Sequence, residues 1–149
     1  MSRLPTLVVC EDGDEYTTRF ARLLGQEIAF ERAGTHAEAT RLMRDGAWGI
    51  LLDLDFRRTH AADLVDEEGA THDLLADGER RRLADMQGIL ILRALRGAGI
   101  SAPAILFADL DEPSRCDYLE RTLAPLTILP SSASLLSIAQ HIRALTART

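Results

Sequence analysis

Four carboxylates stand where chemistry is possible: Glu11 and Asp12 in one acidic turn, and Asp53 and Asp55 farther along. Each pair follows a short apolar run, Leu7-Val8-Val9 before the first and Ile50-Leu51-Leu52 before the second. Unbroken apolar runs of this length suit strands covered on both faces, as in a parallel sheet. An acid ending such a strand is delivered to the sheet's C-terminal edge, where open α/β folds place their ligands. In a doubly wound sheet of strand order 2-1-3-4-5 the switch point lies between strands one and three, which brings Glu11 and Asp12 close to Asp53. Three carboxylates so grouped repel one another, and a hard divalent cation such as Mg²⁺ is the usual remedy. Such a cation can also help an aspartate accept a phosphoryl group, by screening its charge and orienting the donor.

The elements that must position these acids can be read along the chain. Residues 4–10 make a first strand, and helical periodicity follows through Tyr16, Phe20, Leu23 and Leu24, with Gly25 where a helix stops. Residues 28–32 alternate as a second strand. Thr35 with Glu38 has capping-box spacing and opens a helix carrying Ala39, Leu42 and Met43, ended by Asp45-Gly46. Residues 48–54 form the third strand. Regularity breaks over 57–87, a charged stretch with Leu64, Val65, Leu74, Leu75, Leu83 and Met86 scattered through it. It reads as an excursion with one or two short helices, one over 79–86, and loops of this length are usually functional or mobile.

Gly88 restarts regular structure, with Ile89, Leu92 and Leu95 lining a helix ended by Gly97 and Gly99. Residues 104–108 are a fourth strand. Glu112-Pro113 opens a helix whose apolar face is Tyr118, Leu119 and Leu123. Residues 127–129 are a short fifth strand stopped by Pro130, and the last helix, over about 133–146, carries Leu135, Ile138, Ala139, Ile142 and Leu145 on one stripe. Five strands alternating with five helices, joined by right-handed crossovers, predict a parallel α/β sheet in one domain over 1–149, with an insertion at about 57–87.

Composition narrows the function. At 149 residues, 46% hydrophobic and 27% charged, the chain can bury a real core and is not wholly disordered. A net charge of −6 argues against binding nucleic acid or an acidic membrane surface. Cys10 and Cys116 are too few for a disulfide framework, and no run has the length of a signal peptide core or a bilayer span. A cytoplasmic protein is the expectation.

The motifs in order resemble response-regulator receiver domains: Leu-Val-Val-Cys-Glu-Asp at 7–12, Ile-Leu-Leu-Asp-Leu at 50–54, Pro-Ala-Ile-Leu-Phe-Ala at 103–108, and Ile-Leu-Pro at 128–130 before a closing amphipathic helix. The resemblance covers nearly the whole chain outside the excursion. It implies a flavodoxin-like fold, with Asp53 at the phospho-acceptor position and Glu11 and the Asp55 backbone carbonyl as Mg²⁺ ligands beside it. The chain also departs from that pattern. Cys10 stands where the family has the first of two adjacent acids, and Ala108 where a Ser or Thr hydroxyl binds the phosphoryl group. Leu129 replaces the family's lysine, Leu126 its aromatic switch residue, and Arg57 the proline after the acceptor. These changes remove groups that stabilise charge developing in phosphoryl transfer. The resemblance is therefore to a degenerate member, a pseudo-receiver, in which phosphorylation at Asp53 is lost or impaired; the alternative is a working phospho-acceptor that uses Mg²⁺. An arginine of the excursion, Arg57 or Arg58, is a candidate for the missing positive charge.

A rival comes from Asp53-Leu-Asp55-Phe-Arg57, which resembles the D-x-D-x-T/V motif of haloacid-dehalogenase phosphatases. Arg57 occupies the Thr/Val position, the motif falls on the third strand instead of the first, and the chain has no lysine for that family's lysine site. Other residues also have quieter readings. Asp53 is either a reactive acid or a carboxylate retained by strand position; Glu11 and Asp12 either bind metal or cap the first helix. Cys10 suits a small apolar position at a buried strand end. Arg80-Arg81-Arg82, flanked by Glu79 and Asp85, suits a solvated helix face. His36, His60, His72 and His141 have no metal-ligand spacing.

With the last helix reaching the end of the chain, no output domain fits, so signalling through contact with a histidine kinase or another signalling protein is expected. In receivers the face made by helix four, strand five and helix five carries partner and homodimer contacts. Here that face corresponds to residues 111–123 and 131–145.

Overall fold

The computed structural model describes residues 3–147, so both ends of the domain expected over 1–149 lie outside the described residues. Five strands form one parallel sheet: β1 (Thr6–Cys10), β2 (Ala29–Ala33), β3 (Gly49–Asp53), β4 (Ala104–Phe107) and β5 (Leu126–Leu129). Their order, β2-β1-β3-β4-β5, is the flavodoxin-like order expected from the sequence. Around it lie α1 (Glu15–Leu24), α2 (His36–Arg44), α3 (Asp77–Asp85), α4 (Gln87–Gly97), α5 (Pro113–Thr122) and α6 (Leu135–Thr146).

Strand alternation explains the two cores. Val8, Cys10, Ile50, Leu52 and Leu106 face one side, where Leu42 and Met43 of α2, Leu83 of α3, Leu92 and Leu95 of α4 and Leu119 of α5 cover them. Leu7, Val9, Leu51, Ile105, Phe107 and Leu129 face the other, against Phe20 and Leu24 of α1 and Ile138 and Ile142 of α6. Both faces of the sheet are thus dry, which is why its strands read as continuous apolar runs instead of alternating ones. Local signals hold: Thr35 Oγ1 accepts from Glu38 N at 3.2 Å, and Pro113 opens α5.

The excursion carries short helices, as expected, and is also anchored in the core. It contains α3, longer at its start than the expected 79–86, and a single 3-10 turn at Ala61–Asp63. Leu64, Val65 and Leu83 are fully buried in the core of the α2–α5 side. Gln87, the first residue of α4 and itself buried, clasps the segment: its Oε1 accepts from Val65 N at 2.9 Å, while its Nε2 donates to Val65 O and Leu83 O, each at 3.1 Å. Phe56 N bonds to Ala84 O at 2.8 Å, and Gly88 N to Leu54 O at 2.9 Å. These long-range anchors leave no periodicity in the sequence, which is why the stretch looked irregular. Among the described residues, no helix is long and apolar enough to cross a membrane.

Candidate functional site

The C-terminal edge of the sheet gathers the ends of β1, β3, β4 and β5. In the register Cys10 lies beside Leu52, Asp53 beside Phe107, and Phe107 beside Leu129. Asp53 therefore shares the sheet face of Leu51, Phe107 and Leu129, where Tyr16 of α1 stacks on Phe107 with centroids 5.0 Å apart. The Asp53 carboxyl is half-buried, and its Oδ1 accepts from Leu54 N at 2.9 Å. Burial pushes its pKa up to about 6; the Leu54 hydrogen bond opposes the rise, while the charges of Asp55, Asp12 and Glu11 add to it. Among the described residues, no cationic side chain pairs with Asp53.

The acids after β1 are otherwise engaged. Glu11 is buried, and its carboxylate turns to the start of α1, accepting from Tyr16 N at 3.1 Å, Thr17 N at 2.7 Å and Thr17 Oγ1 at 2.7 Å. It thereby caps N–H groups that the N-cap residue, Asp14, leaves without a side-chain partner. Asp12 is closed from the other side. Arg58 donates its backbone N–H to Asp12 Oδ2 at 2.9 Å and Nη2 to Asp12 Oδ1 at 3.2 Å, and the same Nη2 reaches Glu15 at 2.8 and 2.9 Å. These bonds hold the Glu15 carboxyl below its ordinary range and push the guanidinium pKa up. Arg32 binds the backbone of the same turn, donating to the carbonyls of Gly13, Asp12 and Glu11.

The cation that the sequence offered from the excursion is thus present at this edge but not at Asp53. Arg58 takes Asp12 and Glu15, and Arg57 takes Asp85 at 3.3 Å.

Three of the departures from the receiver pattern, Cys10, Ala108 and Leu129, are buried apolar groups. Cys10 is fully buried, and burial pushes its thiol pKa far up, so it is no thiolate nucleophile or ligand. Ala108 and Leu129 are buried, and Ala108 N bonds to Leu129 O at 2.9 Å. Leu126 packs against the α2–α5 side. Beyond them, Asp109 accepts from Ser131 N at 2.9 Å and from Ser131 Oγ at 2.5 Å, tying the β4–α5 loop to the β5–α6 loop. Neither Asp109 nor Ser131 stood out in the sequence, because only the fold brings them together.

Two further residues shape the edge. A side chain at Gly88 would run into the Asp53 carbonyl, so α4 starts in contact with the end of β3. A side chain at Gly13 would overlap Arg58 and Glu15. Their signal in sequence was only that each is a glycine beside an element boundary.

The donor set does not fit Mg²⁺. Among the described residues no three His, Cys, Asp or Glu side chains converge on a point that could hold a metal ion. Of the set expected from the sequence, Glu11, Asp53 and the Asp55 carbonyl, Glu11 has both carboxylate oxygens engaged by the start of α1. Asp12, the neighbouring acid, is spent on Arg58.

No family model and no curated protein matches the sequence. Solved structures do. The chain is similar to the receiver domain of a Francisella response regulator (TM-score 0.64, 17% identity, 95% of each chain). It is likewise similar to the beryllofluoride-activated N-terminal receiver domain of RstA from Klebsiella pneumoniae (TM-score 0.63, 16% identity, 97% of this chain and 100% of that one). A response regulator receiver protein from Pseudoalteromonas atlantica is a third (TM-score 0.64, 12% identity, 95% and 97%). The architecture is therefore the flavodoxin-like fold of response-regulator receivers, and at these identities the likeness concerns the fold alone.

Proposed function

We propose that this chain is a receiver-like signalling domain that acts through protein–protein contacts, with phosphorylation at Asp53 lost or impaired. One observation carries the reading. The two positions that would supply a hydroxyl and an ammonium to a phosphoryl group on Asp53 are the buried, apolar Ala108 and Leu129. The nearby guanidinium groups are engaged elsewhere, so charge developing on a transferring phosphoryl group has no preorganised partner. The Asp109–Ser131 latch supports the same reading, since it holds the loops on either side of the edge together without Asp53.

The output is then a docking surface. On the α5–β5–α6 side, Tyr118 of α5 is an exposed large apolar residue, and this face suits a histidine kinase, another signalling protein or a second copy of the chain. The test is incubation of the protein with Mg²⁺ and a small phosphodonor, or with beryllofluoride, alongside Asp53→Asn. The expected result is no Asp53-dependent mass gain and no Asp53-dependent chemical-shift change. Uptake that disappears in Asp53→Asn makes the chain a true phospho-acceptor and sinks the reading.

A further inference from the structure

We propose that Arg58 is the resident cation of the acidic turn after β1: a guanidinium supplied by the insertion that neutralises Asp12 and Glu15 and closes the turn to divalent cations. The inference rests on the receiver-like reading only for the expectation that a metal would belong there. The pairing itself is a feature of this chain.

Four observations bear on it. First, the guanidinium is placed by the backbone, since the Arg58 N–H and its Nη2 bind the two oxygens of one carboxylate, Asp12. The bend that presents it is itself held, with Thr59 N bonded to Phe56 O at 3.2 Å and the Thr59 side chain buried. Second, Arg58 covers the acid it binds: the Asp12 side chain is only 5% exposed, although that of Arg58 is 64% exposed. Third, Gly13 leaves the space in which Arg58 and Glu15 meet, and any side chain there would displace them. Fourth, Arg32 takes the carbonyls of residues 11–13 from the other side, so the backbone oxygens of the turn are also satisfied by a cation of the chain. A planar, permanently charged fork suits this bridging of two carboxylates, and it does so without an ion to be gained or lost.

The test uses the full chain and Mn²⁺ as probe, with free Mn²⁺ read by electron paramagnetic resonance and thermal midpoints taken in EDTA and in Mg²⁺. Wild type is expected to leave Mn²⁺ free and to show the same midpoint in both solutions. Arg58→Ala and Arg58→Gln are expected to melt lower in EDTA, to regain part of the loss in Mg²⁺, and to bind Mn²⁺ at least about tenfold more tightly than wild type. Asp12→Asn added to Arg58→Gln is expected to abolish that binding. Arg58→Lys, which keeps the charge, is expected to stay folded and metal-free. Wild type binding Mn²⁺ as tightly as the variants overturns the proposal, as does a folded Arg58→Gln that binds none. The functional reading fails by a different readout: phosphoryl uptake on Asp53 by a wild type that leaves Mn²⁺ free would refute that reading and leave the role of Arg58 standing.

Discussion

Asp53 is an acid held in a place that disfavours its charge. Its folded pKa of about 6 lies above the ordinary value of 3.8, with burial the main cause and the charges of Asp55, Asp12 and Glu11 adding to it. The sign follows from proton linkage. Between these two values the folded state binds the proton more tightly than the unfolded chain, so this group's contribution is full below about pH 4 and is lost as pH rises toward 6. Asp53→Asn keeps an oxygen for the Leu54 N–H and removes the titration. The variant is expected to be more stable than wild type by roughly 1 kcal/mol at neutral pH, a figure discounted because the carboxyl is only half-buried and partly screened by water. The gain should shrink as pH falls to about 4. Urea midpoints of both proteins across this range check it, and a difference that does not vary with pH counts against a raised Asp53. At this scale the sequence showed which acids share the edge but not where each carboxylate points. Glu11 had two equally sensible uses, metal ligand or helix cap, and only the folded geometry shows its oxygens on Tyr16 N and Thr17.

Elements whose signals are local were legible. The apolar runs of β1, β3 and β4, the Thr35 cap, the Gly25 stop and the Pro113 start each act within one turn or strand of where they are written. The junction between β3 and α4 was not, because it depends on two segments separated by the whole insertion. There Gly88 N bonds to Leu54 O, and the missing side chain lets α4 lie against the Asp53 carbonyl. Gly88→Ala would ordinarily favour a helix, since alanine has the higher propensity. Here the methyl meets backbone that cannot give way as a side chain would, so a loss of about 2 kcal/mol is expected instead. Denaturant unfolding with an unchanged m-value measures it. A stabilised Gly88→Ala would mean that α4 stands farther from β3 than this packing has it.

For the molecule as a whole, the question is whether the insertion is an appendage or part of the cooperative fold. Its charge-rich sequence spoke for an appendage, and its surface is one: Leu74 is 93% exposed, and Arg82 spends itself on Glu67 and Glu79 in solvent. Its interior is not. Leu64 and Val65 sit in the same core as Ile50 and Leu52 of β3, and Gln87 satisfies both backbone groups of Val65 from inside α4. Arg58 fastens the front of the insertion to the β1–α1 turn, so the segment is held at both ends of the edge that contains Asp53. Gln87→Ala removes the side-chain partner of three buried backbone groups at once, Val65 N–H, Val65 C=O and Leu83 C=O, and is expected to cost about 3 kcal/mol. Hydrogen exchange distinguishes the two pictures. In wild type the Val65 amide should exchange only with global unfolding, alongside the amides of β3, and in Gln87→Ala it should exchange by a local opening of far lower free energy. If Val65 already exchanges at loop rates in wild type, the insertion is an appendage and not part of the cooperative fold.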